Sequence, residues 1–152
     1  LSQQRLATQI LGIFALAENE QFRSRLPDLL PKLTDRLRYL ACEHSDSFTD
    51  SAAVAVIDRT VFQLLVCLLK ISQLHSGLLR DPAFVPLFNP IFDICQSLIL
   101  YQHQWVRLTV AQLYGLLFSQ YQPTEFSRSR SVSVQTQEFL LTDPSSQVME
   151  ID

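Results

Sequence analysis

The chain has 152 residues and a formal net charge of −3, with 47% hydrophobic and 18% charged side chains. A mean hydropathy of +0.13 is too apolar for a disordered chain and calls for a buried core of about one domain. Three glycines are poor provision for β-sandwich turns or a phosphate-cradling loop, while seven prolines placed at element boundaries suit a helical array.

Gln3 to Ala17 carries Leu6, Ile10, Ile13, Phe14 and Ala17 at helical spacing, which predicts an amphipathic helix burying that face, ended by Glu18-Asn19-Glu20. A second helix is expected from Pro27 to Ala41, burying Leu29, Leu30, Leu33, Leu37 and Leu40. Cys42 to Ser51 is polar and reads as a loop, with Asp50 or Ser51 as the cap of the next helix. That helix, Ala52 to Leu74, shows the stripe Val54, Ile57, Val61, Leu64, Leu65 and Leu68. Phe62, Val66, Leu69 and Ile71 cover much of its other side. A helix apolar nearly all round is expected to lie between neighbours. Its run from Val54 to Ile71 contains Asp58, Arg59, Gln63 and Lys70, so an uninterrupted membrane span is not expected. No signal peptide is recognisable, and Leu1 in place of Met suggests a fragment of a longer chain.

His75 to Pro82 reads as a connection. A fourth helix, Pro86 to Tyr101, carries Phe88, Ile91, Phe92, Cys95, Leu98 and Ile99; a fifth, Gln104 to Gln120, carries Val106, Val110, Leu113, Tyr114 and Leu117. Past Tyr121 the composition turns to Ser, Gln, Arg and Thr, with a short apolar island at Phe139-Leu140-Leu141. The expected organisation is therefore an α-helical repeat domain over 1–121 and a polar, acidic, disordered tail over 122–152.

Pro27 and Pro31 recur as Pro86 and Pro90, the same spacing displaced by 59 positions, with Leu33 matching Phe92 and Leu40 matching Ile99. Proline is tolerated in a first helical turn, where its missing N–H has no partner, so each pair is expected at a helix start. The order lone helix, pair, pair predicts an all-α solenoid of about two and a half helical hairpins, with a five-helix bundle as the alternative.

The body over 1–121 balances ten acidic against ten basic residues, and the tail supplies the −3. A neutral body is a poor independent binder of nucleic acid, which draws most of its affinity from phosphate neutralisation. The local exception is Arg23, Arg25, Lys32, Arg36 and Arg38, a candidate partner or RNA contact; its plainer reading is a solvated face with Asp28, Lys32 and Arg36 in one row. Cys42, Cys67 and Cys95 are odd in number and widely spaced, suggesting neither a zinc site nor a disulfide framework.

Trp105-Val106-Arg107-Leu108-Thr109-Val110-Ala111-Gln112-Leu113-Tyr114-Gly115 resembles the second helix of a HEAT repeat, which begins Val-Arg and reaches glycine about eight residues later. On that likeness Trp105, Val106, Arg107 and Gly115 are repeat-packing residues. Tyr101-Gln102-His103-Gln104-Trp105-Val106-Arg107-Leu108, followed by Gly115-Leu116-Leu117-Phe118, resembles the C-terminal region of the very large HEAT-repeat component of the small-subunit processome, the down-regulated-in-metastasis family. The resemblance implies a nucleolar scaffold in 18S ribosomal RNA maturation. Its partners would be ribosome assembly proteins, with pre-ribosomal or small nucleolar RNA as a further candidate.

No catalytic constellation is visible. His103 and Trp105 read either as a nucleotide-stacking pair or, preferably, as a helix-start turn with Trp105 wedged between repeats. Arg107 is expected to pair with a carboxylate or carbonyl, Asp93 being a candidate. His44 and His75 have no partner at ligand spacing, and Ser45, Asp46 and Ser47 form no nucleophile array. Asp58 and Asp93 are expected in salt bridges. Ser127 to Ser131 reads as a soluble linker or a basic phosphorylation site. The expectation is a protein that is not an enzyme, with no cofactor, no metal, no membrane and no small-molecule substrate.

Overall fold

The structure, a computed structural model, describes residues 2–15, 20–43 and 51–125. The chain divides into two units, Leu1–Gln120 and Tyr121–Asp152. The first holds five α-helices: α1 (Ser2–Ala15), α2 (Glu20–Arg38), α3 (Ser51–Leu74), α4 (Val85–Leu98) and α5 (Gln104–Ser119). No strand occurs among the described residues, and the all-α class read from the sequence holds. Of the second unit, Tyr121–Glu125 is described; there the Gln122 N–H donates to the Glu125 carboxylate at 2.6 Å. Loop residues 44–50, with His44, Asp46 and Asp50, lie outside the described residues, as does the tail beyond Glu125.

The helix α3 organises the unit. It packs against α1 and α5 to form one layer, while α2 and α4 pack on each other, α2 also meeting α3 and α4 meeting α5. Ile57, Val61, Leu64, Leu65, Leu68 and Ile71 are buried along it. Each such side chain contributes about 1.5–3 kcal/mol relative to exposure. Its residues on both sides are consumed by neighbours, as the sequence implies. By length and composition alone α3 is apolar enough to cross a membrane, and its burial as the central helix accounts for that composition.

The face of α1 differs from expectation. Leu6, Ile10 and Ile13 stand 58%, 43% and 64% exposed, whereas Thr8 is buried. Gly12 is buried with it, where an added Cβ would meet Lys70 Cδ at 3.6 Å. The small residues let the α1 backbone come close to α3, and the apolar stripe is left facing outward.

The start of α2 also differs. The helix begins seven residues before Pro27, so Pro27 and Pro31 lie inside it. Each proline removes one backbone donor, leaving the carbonyl four residues earlier without its helical partner. Both prolines are exposed, where water can solvate those carbonyls. Packing of Leu26, Leu30, Leu33 and Leu37 holds the helix across them. The helix runs on into a π-helical turn, Tyr39–Glu43, that still buries Leu40 and Ala41. In α4, by contrast, Pro86 does occupy the first turn, and only Pro90 is internal. Ile99, expected in the buried stripe of α4, is exposed beyond its end. The connection before α4 contains a short 3₁₀ turn, Ser76–Leu79, that buries Leu78 and Leu79. The Asp81 carboxylate then accepts from the Ala83 N–H at 2.9 Å to start the helix.

Burial reveals internal correspondences that prolines do not. Leu30, Leu33, Leu37 and Leu40 in the α2 segment match Phe88, Ile91, Cys95 and Leu98 in α4, a displacement of 58, not the 59 of the prolines. Ile57, Thr60, Val61 and Leu64 in α3 match Val106, Thr109, Val110 and Leu113 in α5, a displacement of 49. The paired threonines donate to carbonyls four residues back, Thr60 to Val56 at 2.7 Å and Thr109 to Trp105 at 2.8 Å. Thr8 in α1 does the same to Gln4 at 2.8 Å. All three members of the central layer thus carry one buried threonine whose hydroxyl is satisfied within its own helix.

Candidate interaction surface

The five basic residues of α2 do not share one face. At 3.6 residues per turn, Arg25, Lys32 and Arg36 fall within a narrow arc, while Arg23 and Arg38 point elsewhere. Arg23, Arg25 and Lys32 are exposed and make no ion pair among the described residues. Arg36 donates to the Gln4 side chain of α1 and lies over the Tyr39 ring, 5.1 Å from its centroid. Arg38 approaches Asp35 at 3.6 Å. That is the only ion pair among the described residues, so the expected row through Asp28, Lys32 and Arg36 is absent.

A polar latch fixes the connection between α4 and α5. Asp58, in the middle of α3 and 8% exposed, accepts from the Tyr101 hydroxyl at 2.8 Å and from the Gln102 amide at 3.4 Å. It is hydrogen-bonded and not salt-bridged, contrary to the sequence expectation. Burial, and then the Asp58 carboxylate, push the Tyr101 phenol well above its ordinary range. From the other side Arg107 Nη1 donates to the carbonyls of Tyr101 at 2.6 Å and Gln102 at 2.9 Å. Arg107 therefore takes carbonyl partners, as one branch of the sequence reading has it, and Asp93 is exposed on α4 without contact to it. The latch presents Leu100, 89% exposed, on the surface of the turn.

Trp105 is 51% exposed and leans on Phe62 of α3, ring centroids 6.5 Å apart and planes tilted by 50°. It is not wedged between helices as expected. Val106 is fully buried. Gly115 is exposed, and an added Cβ there would meet nothing, so no close approach requires glycine. Beside Trp105, a groove of about 590 Å³ is lined by residues of α1, α3 and α5, among them Arg5, Asp58, Arg59 and His103. Sequence reasoning passed over Arg5 and Arg59. The available signal was Asp58-Arg59, two adjacent charges in the most apolar helix.

A second groove, of about 660 Å³, runs between α4 and α5 and is mainly apolar: Ile99, Val110, Ala111, Tyr114 and Phe118, with Arg107 and Gln96 at its edge. The Tyr114 hydroxyl donates to the Phe92 carbonyl at 2.9 Å, and its ring stacks on Phe118 at 5.9 Å. The thiols of Cys67 and Cys95 are buried and pushed up by that burial, to about 11 and about 12. Cys42 is exposed, its Sγ 3.7 Å from Ser97 Oγ. No cluster of three or more metal-ligating side chains occurs among the described residues.

The described residues thus form an all-α protein with grooves and exposed apolar faces on its helices. The chain belongs to the family described as small subunit processome component 20 homolog, C-terminal, which it matches over residues 3–149. That family consists of small-subunit processome components, so the chain falls within ribosome biogenesis. The match extends well past Gln120 and so takes in the polar tail. No solved structure matches the chain.

Proposed function

We propose that the chain is a non-catalytic scaffold in maturation of the small ribosomal subunit and its 18S ribosomal RNA, acting in the nucleolus and holding assembly factors against its stacked helices. The observation that carries this reading is a pair of apolar surfaces on the two helices that flank α3. On α1 they are Leu6, Ile10 and Ile13; on α5, with α4, they are Ile99, Tyr114 and Phe118. Patches of this kind, rimmed by polar residues, mark contact sites for other proteins. The matched burial of α2 with α4 and of α3 with α5 supports a solenoid of two helical hairpins preceded by one helix. In such an array each layer is extended by another of the same kind, and the outward face of α1 is where an added helix would sit.

The experiment is affinity purification of the tagged chain from cells with and without ribonuclease, comparing the native chain with Ile13→Arg and Phe118→Arg. Small-subunit assembly proteins should co-purify, survive ribonuclease, and be lost from at least one variant. Their recovery undiminished by both substitutions would overturn the assignment of these faces. Recovery only of proteins foreign to ribosome assembly would overturn the scaffold role itself. A second reading, RNA contact through α2, is supported by the uncompensated Arg23, Arg25 and Lys32. It requires steep salt dependence that is relieved by Lys32→Glu together with Arg25→Glu.

A further inference from the structure

We propose that the groove between α1, α3 and α5 holds one nucleotide of single-stranded RNA, the base laid on Trp105 and the phosphate gripped by Arg5 and Arg59. Its volume of about 590 Å³ falls within the range of about 300–1,000 Å³ that small-ligand sites occupy. Trp105 leans on Phe62 yet keeps half of its surface in solvent. Unstacked bases are recognised on open aromatic faces of this kind.

The charges agree. Arg36, Arg38 and Arg107 have side-chain or carbonyl partners, whereas Arg5 and Arg59 form no hydrogen bond or ion pair among the described residues. Guanidinium forks without carboxylates match phosphate oxygens bidentately. The one acid lining the groove, Asp58, accepts from Tyr101 and Gln102, which leaves two arginines against one carboxylate in the lining. The Nδ1 atom of His103 is buried without a hydrogen-bond partner, a polar atom left over at the groove wall. An acidic peptide would use the arginines but has no need of the indole. A duplex keeps its bases stacked inside and could not lay one on Trp105. The site is also prearranged: Arg107 and Asp58 fix the turn from which α5 and Trp105 emerge.

Trp105 is the only tryptophan in the chain, so its emission reports stacking at this site and nowhere else. The full chain would be titrated with a 12-nucleotide single-stranded oligoadenylate, the same strand in a duplex, adenosine monophosphate and a glutamate-rich peptide. Saturable quenching by the single strand is expected, with the mononucleotide weaker, because the 12-mer offers many registers to the one-nucleotide site, and the duplex inert. In anisotropy with labelled RNA, Trp105→Ala should weaken binding about 5- to 150-fold, and Trp105→Phe should restore most of it. Arg5→Glu and Arg59→Glu should each weaken it at least about tenfold and flatten a salt slope near −0.7, that expected for one phosphate of a single strand. Lys32→Glu on α2 should leave the quenching intact, which separates this site from the α2 reading. Far-UV circular dichroism confirms that each variant is folded. RNA binding without quenching, undiminished binding by Trp105→Ala, or equal quenching by the acidic peptide would overturn the proposal. A mononucleotide bound as tightly as the oligomer would overturn the RNA assignment in favour of a free nucleotide.

Discussion

Tyr101→Phe removes a single hydroxyl and isolates a buried charge. In the native chain that hydroxyl donates at 2.8 Å to the Asp58 carboxylate, whose other partner, the Gln102 amide, is more distant at 3.4 Å. Asp58 is 8% exposed, so water cannot fully replace the lost donor. Hydrogen bonds to charged groups contribute about 1.5–3 kcal/mol, and a stranded buried acceptor costs its desolvation as well. Tyr101→Phe should therefore destabilise by about 2–3 kcal/mol. Asp58→Ala leaves a half-buried phenol that water can reach, so its cost should be about 1–2 kcal/mol. The double variant should cost much less than the two together, because without Asp58 the Tyr101 hydroxyl has little left to do. The coupling should be about 1–2 kcal/mol. Urea unfolding of the four proteins at neutral pH, followed by far-UV circular dichroism, measures every arm. A coupling under about 0.3 kcal/mol would refute the claim that this pair ties the α4–α5 turn to α3.

Four further outcomes are expected. Leu68→Ala, at a fully buried position on the central helix, should cost about 3–5 kcal/mol. Ile13→Ala should change stability by less than about 0.5 kcal/mol, and a loss as large as that of Leu68→Ala would mean that α1 presents its apolar stripe inward after all. Cys67 and Cys95 keep their protons in the folded chain until about pH 11 and about pH 12, against an ordinary thiol value of 9.0. Above pH 9 the unfolded chain releases these protons and the folded chain does not, so stability is complete below pH 9 and falls as pH rises. The slope should be about 1.1–1.2 kcal/mol per pH unit for each thiol at pH 10, with Tyr101 adding to it at higher pH. Thermal midpoints of the native chain and of Cys67→Ala with Cys95→Ala measure this, and equal slopes in both would contradict it. A disulfide-exchange reagent should modify Cys42 at once and the two buried cysteines only on unfolding; rapid modification of all three would show that the core is open.

Periodicity located the helices well where it recorded burial on most sides. The bounds of α3 and α5 are legible to within a residue or two, because each carries a continuous buried stripe, Ile57 to Ile71 in one and Val106 to Leu113 in the other. It failed on α1 because a stripe such as Leu6, Ile10 and Ile13 shows that a face is apolar, not what covers it. The buried side of α1 instead holds Thr8 and Gly12, with Leu11 packed against the core. The start of α2 was misplaced because proline was taken as a boundary marker, while tertiary packing of Leu26 and Leu30 carried the helix through Pro27. Prolines and buried positions of the α2 and α4 segments differ in displacement by one residue, 59 against 58, and the buried positions become visible only when the neighbouring helix is in place. At the surface, Trp105 and Arg107 were found by resemblance, but Arg5 and Phe62 join Trp105 through folding alone, since they come from three different helices.

The composition of α3 has a consequence for synthesis. Leu74 ends α3, and 45 further residues must be made before Ser119 completes α5. At about 5–20 residues per second that takes roughly 2–9 s. During this interval α1 and α2 are already available to cover one side of the helix, while the side that will meet α5 has no neighbour. A segment able by composition to enter a bilayer is thus half dressed on the ribosome. Nascent chains stalled when α3 has just emerged from the ribosome should be bound by chaperones or by the targeting machinery for membrane proteins. Chains stalled with α5 fully emerged should release both.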